Sequence, residues 1–129
     1  AGSQSPLRIS MPVGVEPLKR RAEFLRVAAS RRKCVMPGLL LQASEREADP
    51  LSVRVGYTAS RKVGNAVARN RAKRRLRAVV SEVMPLHAIA GYDYVLIARR
   101  ATVARSFLAL HRDLVTAMKN LNAWRKTGD

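Results

Sequence analysis

Between Arg61 and Arg77 the chain reads RKVGNAVARNRAKRRLR, with eight basic side chains and no acidic one. Guanidinium groups offer a planar fork that matches phosphate oxygens and also stacks on bases. On a helix, Ala68, Ala72, Leu76, Val79 and Val83 form one apolar stripe, while Asn70, Arg71, Arg74 and Arg77 fall opposite it. Like charges then stand four residues apart, as in Arg69 with Lys73 and Arg71 with Arg75. Each such pair costs a helix roughly 0.2–0.5 kcal/mol. Cations near Asn65 also oppose the positive end of the helix dipole. Solvated surface helices interleave acids with bases, and this one does not. Its chemistry is that of holding a polyanion.

The rest of the chain offers little for catalysis. His87 and His111 stand apart and lack a carboxylate cluster, and the nine acids are scattered without a pair spaced to hold two magnesium ions. The expectation is therefore no catalytic residue and no metal site. Cys34 is the sole cysteine, which excludes an internal disulfide and a cysteine zinc site and suits a reducing cytoplasm. No apolar run approaches the roughly 20 residues of a membrane span, and no secretory signal is visible. Ala1-Gly2-Ser3 reads as an expression remnant.

A net charge of +16, from 25 Lys and Arg against 9 Asp and Glu, implies a phosphate-rich partner, nucleic acid or less often an anionic membrane. With 47% apolar residues over 129 positions, the chain is long and apolar enough for one core.

The elements that must position the basic stretch follow from periodicity. Residues 1–16, with Pro6, Pro12 and Gly14, read as a flexible arm, and 17–125 as the domain. Pro17 suits a first helical turn, and Leu18 to about Ser30 reads as a helix, with Leu18, Ala22, Leu25 and Ala29 on one stripe and Phe24 and Ala28 beside it. Cys34–Met36 and Leu39–Ala43 read as strands, Ser44–Pro50 as a polar turn, and the alternating Ser52–Ser60 as a strand. The basic helix runs to about Met84, closed by Pro85. Tyr92–Ala98 reads as a buried strand, and a long amphipathic helix spans about Thr102 to Trp124, with Phe107, Leu110, Leu114, Met118 and Leu121 on the stripe that should pack on the sheet. Gly64 fits a junction closed to other residues, and Asn65 can cap the helix, whose free N–H groups could take a phosphate or a metal-bound water.

The segment Arg54–Arg77, RVGYTASRKVGNAVARNRAKRRLR, closely resembles the signature of the bacterial ribonuclease P protein subunit, whose RNR motif corresponds to Arg69-Asn70-Arg71. The resemblance extends over Leu18–Leu121. It implies a compact α+β domain of order α-β-β-β-α-β-α, with helices on a mixed sheet and a left-handed β-α-β crossover, an exception to the usual hand. It further implies a protein without catalytic residues, partnered by the catalytic RNA and by the 5′ leader of precursor tRNA and requiring no protein partner. Magnesium would serve mainly the RNA subunit.

Carried over by position, the resemblance assigns RNA binding to Arg61, Lys62, Asn65, Arg69, Asn70, Arg71, Lys73, Arg74 and Arg77. It assigns the leader cleft to Phe24, Ala28, Leu41 and Tyr57. Ala28 and Leu41 stand where relatives often carry an aromatic, so leader binding here is expected to rest more on charge than on stacking, which is worth roughly 1–3 kcal/mol per base. Core packing competes with the cleft role for Phe24, and more strongly for Tyr57, which alternates with Val53 and Val55. Arg99 and Arg100 either extend the positive surface or simply end a strand, and Trp124 is expected to cap the last helix against the body.

Three other functions compete. A ribosomal or chaperone-like RNA-binding protein would not need the full KVGNAVARNRAKRRLR pattern. A protein-only nuclease would need clustered carboxylates or histidines. A helix-turn-helix would not flank its basic helix with strands.

Overall fold

The computed structural model describes residues 12–46 and 51–126. Short alternating segments build a five-stranded mixed sheet, with β1 at Val15–Pro17, β2 at Lys33–Val35, β3 at Leu39–Glu45, β4 at Val53–Thr58 and β5 at Tyr92–Ala98. Their spatial order is β1-β4-β5-β3-β2. β4 runs parallel to both β1 and β5, whereas β3 is antiparallel to β5 and to β2. β5 is central, which explains why YDYVLIA carries almost no exposed position.

Helix α1, Arg21–Ala29, lies on one face of the sheet over Val95, burying Val27 and Leu18. Helix α2, Ala66–His87, and helix α3, Phe107–Asn120, cover the other face. There the main core joins Leu39, Leu41, Val53, Val55, Tyr94 and Leu96 to Leu76, Val79, Val83, Leu110, Leu114 and Met118. α2 therefore bridges the parallel neighbours β4 and β5, its apolar stripe down and its cations outward.

The structure moves several expected boundaries. The arm expected over residues 1–16 lies outside the described residues up to residue 11, but from Val13 onward the chain is tied down. The Val13 N–H donates to the Pro85 carbonyl at 2.7 Å, and β1 pairs with β4. Pro17 ends this strand instead of opening a helix. The Leu18 N–H still bonds Val55 at 2.9 Å, and α1 starts only at Arg21, where the Glu23 carboxylate accepts from the Arg20 N–H at 3.1 Å.

Pro85 sits inside α2, which continues to His87. A proline withholds its own N–H from the preceding turn and its ring crowds the carbonyl four residues back, here that of exposed Ser81, which can turn toward water. The last helix is also shorter than expected. Arg100–Val103 is a 3-10 turn, fixed by the buried Thr102 hydroxyl donating to the Gly38 carbonyl at 2.6 Å, and α3 begins after Ser106, which caps the Ala109 N–H at 3.1 Å.

Candidate nucleic-acid interface

The junction from β4 into α2 sets the geometry of the basic surface. Val63 is buried, and Gly64 adopts φ +147°, where an added Cβ would meet that of Ala68 at 2.9 Å. Asn65 follows as N-cap, its Oδ1 accepting from the Ala68 N–H at 2.9 Å. With that turn fixed, Ala72, Leu76, Val79 and Val83 point into the core.

The cations then wrap around the exposed side. Arg61, Lys62, Asn70, Arg71, Arg74 and Arg77 are exposed, and Arg69 and Lys73 half-buried. Among the described residues, carboxylates pair with Arg26, Arg46, Arg54 and Arg105 and with no cation of α2 or of the loop before it. This leaves the face with an unneutralised charge. Arg100 approaches it, its Nε donating to the Lys62 carbonyl at 3.3 Å, so the 3-10 turn extends the positive surface.

Arg75 is turned inward. Its guanidinium donates to the Val103 carbonyl at 3.3 Å and to that of Arg105, tying the segment before α3 to α2. On the other shoulder, the Arg77 guanidinium carbon lies 5.2 Å from the centre of the Tyr57 ring. Burial raises the Tyr57 hydroxyl to about 12, against the opposing charge of Arg77.

The expected leader residues do not all meet. Register places Gly56, Val95 and Gln42 in one row beneath α1, followed by Thr58, Ile97 and Leu40. Phe24 packs against this face, and Ala28 is exposed one turn further along. With half-buried Ile97 and Leu40, exposed Val35 and Lys33 projecting on the same face, they line the open sheet surface beside α1 where the leader cleft is expected. Leu41 is a correction. It alternates to the opposite face, is fully buried in the main core, and has no access to the cleft. Tyr57 also lies on the α2 side, half-buried against the core, so it belongs with Arg77 and not with Phe24.

The other flank of α1 carries a network that sequence reasoning missed. Buried Asp93 receives Arg46 at 2.6 Å, Arg54 at 2.7 Å and Arg26, while Arg54 also reaches Glu23. Burial pushes the Asp93 carboxyl up, but the hydrogen bonds and charges of Arg54 and Arg46 outweigh it and hold the group below its ordinary range. This network anchors α1 and thereby fixes one wall of the cleft. Trp124 stacks on His87 with centres 3.8 Å apart, and the Arg125 side chain donates to the Ala88 and Pro85 carbonyls, each at 3.2 Å. The segment after α3 thus clamps the end of α2.

A sequence profile of the family described as Ribonuclease P matches residues 14–122. The ribonuclease P protein component of Paramagnetospirillum magneticum is 52% identical over 120 residues, covering 91% of this chain and 90% of that one. That of Ruegeria pomeroyi is 46% identical over 112 residues, covering 85% and 89%. Among solved structures, the Staphylococcus aureus RNase P protein superposes with a TM-score of 0.70 at 26% identity, over 84% of this chain and 96% of that one. The Thermotoga maritima RNase P protein, at 23% identity and a TM-score of 0.65, covers 78% and 93% and shares the fold. The basic face of α2 is thus carried by a chain that belongs to the ribonuclease P protein family.

Proposed function

We propose that α2 docks this protein component onto the RNA of the ribonuclease P ribonucleoprotein, while the cleft beneath α1 holds the 5′ leader of precursor tRNA. The observation that carries this reading is the absence, among the described residues, of any carboxylate pairing to the cations of α2. Such a face gains most from phosphates, because binding releases the RNA's condensed counterions.

Family membership makes the chain the protein part of a holoenzyme. No group of three His, Cys, Asp or Glu side chains is placed to hold a metal among the described residues. Magnesium, in this reading, serves the RNA subunit. Arg71, Arg74 and Arg77 meet phosphates, and the capped α2 terminus keeps them in register. The leader, extended and single-stranded, lies along Ile97, Leu40 and Val35 with Phe24 as the cleft's aromatic and Lys33 for its backbone. The sheet separates the two sites, so both are open to ligand at once. We place this work in the cytoplasm; no helix among the described residues is long and apolar enough to cross a membrane.

The test is cleavage of precursor tRNA by a bacterial ribonuclease P RNA at low magnesium, with and without the chain. Leader release at the mature 5′ end that depends on both components supports the assignment. Binding without stimulation would leave only a general RNA-binding domain. Phe24→Ala should weaken binding of leader-bearing precursor while sparing mature tRNA; equal loss on both would remove the leader from the cleft.

A further inference from the structure

The first residue of α3, Phe107, is 39% exposed, and its neighbour Leu108 is 58% exposed. A large apolar side chain left open at the start of a helix is not explained by the core, which takes Leu110 and Leu114 from the same element. Its surroundings are specific. Phe107 shares a surface crevice with Arg71, Arg74, Arg75 and Ala78, so the ring sits on the shoulder of α2 among three arginines with no acidic lining residue. Arg75 fixes this arrangement through its bonds to the Val103 and Arg105 carbonyls, which hold the chain just before Phe107 against α2. Ala78, small and exposed, leaves room over the ring.

We propose that Phe107 is a stacking platform for one unpaired nucleobase of the catalytic RNA, whose flanking phosphates are held by Arg71 and Arg74. An aromatic ring bordered by guanidinium groups is the combination that binds single-stranded nucleic acid, the ring taking the base and the cations its backbone. The ligand is the catalytic RNA and not the leader, because Phe107 lies on the α2 face, across the sheet from the cleft. The inference rests on the docking role proposed for α2.

The experiment measures affinity of the full chain for a bacterial ribonuclease P RNA transcript across salt concentrations. Phe107→Leu and Phe107→Ala should each lose roughly 5- to 150-fold, the range for one stacked base, whereas Phe107→Tyr should stay near native. The salt slope should not change in any of them, since no cation is removed; Arg71→Ala should lower it by about 1. A second readout uses Phe107→Trp in a Trp124→Phe background, where saturating RNA should quench the fluorescence of the introduced indole. The ratio of precursor to mature tRNA affinity should be unchanged by Phe107→Leu. Native affinity in Phe107→Leu, or an unquenched indole in a complex that still forms, overturns the platform while leaving the docking role intact. Failure of the native chain to bind the transcript would instead remove the docking role itself. If Phe107→Leu lowers only precursor affinity, the ring serves the leader and the assignment is wrong.

Discussion

The Phe24 ring occupies the space that a Cβ on Gly56 would need, its Cε2 and Cζ each 2.5 Å from that position, with the Leu18 Cβ at 3.2 Å. The glycine in the middle of β4 is thus what lets α1 settle onto the sheet with its aromatic at the edge of the cleft. Gly56→Ala must push the ring away or lift α1. Overpacking of this kind costs about 1–3 kcal/mol. The expected result is a lower Tm together with reduced preference for leader-bearing precursor over mature tRNA. A native Tm and an unchanged preference would mean that the ring is not held there.

A second prediction concerns Asp93. Its carboxyl is held below the ordinary value of 3.8 by Arg54 and Arg46 despite its burial. A depressed carboxylate contributes stability above its unfolded pKa, and that contribution is lost as pH falls through the lower folded value. Stability should therefore fall with acidification below about pH 4, and Asp93→Asn should flatten that fall. At neutral pH the same variant deprives buried Arg46 of its carboxylate, a change worth about 3–5 kcal/mol for a broken buried pair. Chemical denaturation of both proteins across pH checks both statements. An Asp93→Asn variant as stable as the native chain at neutral pH would contradict them.

Alkaline behaviour gives a third. Burial raises the Tyr57 hydroxyl from 10.0 to about 12. A raised folded pKa means stability present below the unfolded value and lost as pH climbs toward the folded one. Between about pH 10 and 12 the native chain should lose stability that Tyr57→Phe retains. Tyrosinate absorbance, compared between the two proteins, should assign a late-titrating step to Tyr57.

These residues also show which parts of the structure the chain announced. The basic face of α2 was legible because charge and apolar stripe are both periodic along one element, and Gly64-Asn65 marked its start by local backbone chemistry alone. The strands were legible by alternation, but alternation gives two faces without saying which one α1 covers. The resemblance assigns Leu41 and Tyr57 to the cleft, and the register turns both to the core side, which the alternation of Tyr57 with Val53 and Val55 already favoured for that residue. β1 was missed because Val15–Pro17 is three residues long and exposed, and only its pairing with β4 makes it a strand. The Asp93 network joins residues as far apart as Arg26 and Asp93, and no local pattern encodes such a contact. Phe107 matched the spacing of the α3 stripe, and only the position of its helix end beside α2 revealed it as exposed.

The last prediction separates the cap from the charge. Asn65 satisfies one N–H at the start of α2, and replacing an N-cap by alanine costs about 1 kcal/mol. The cations it positions are untouched, so Asn65→Ala should lower Tm modestly and weaken RNA binding through fraying of the first turn, with the salt slope preserved. Arg74→Ala should do the opposite. Its exposed side chain makes no hydrogen bond or ion pair among the described residues, so Tm should hold while affinity falls and the salt slope drops by about 1. Measuring Tm and salt-dependent affinity on both variants distinguishes the two roles. If Arg74→Ala leaves the slope unchanged, its guanidinium meets no phosphate and the contact surface on α2 must be redrawn around Arg71 and Arg77.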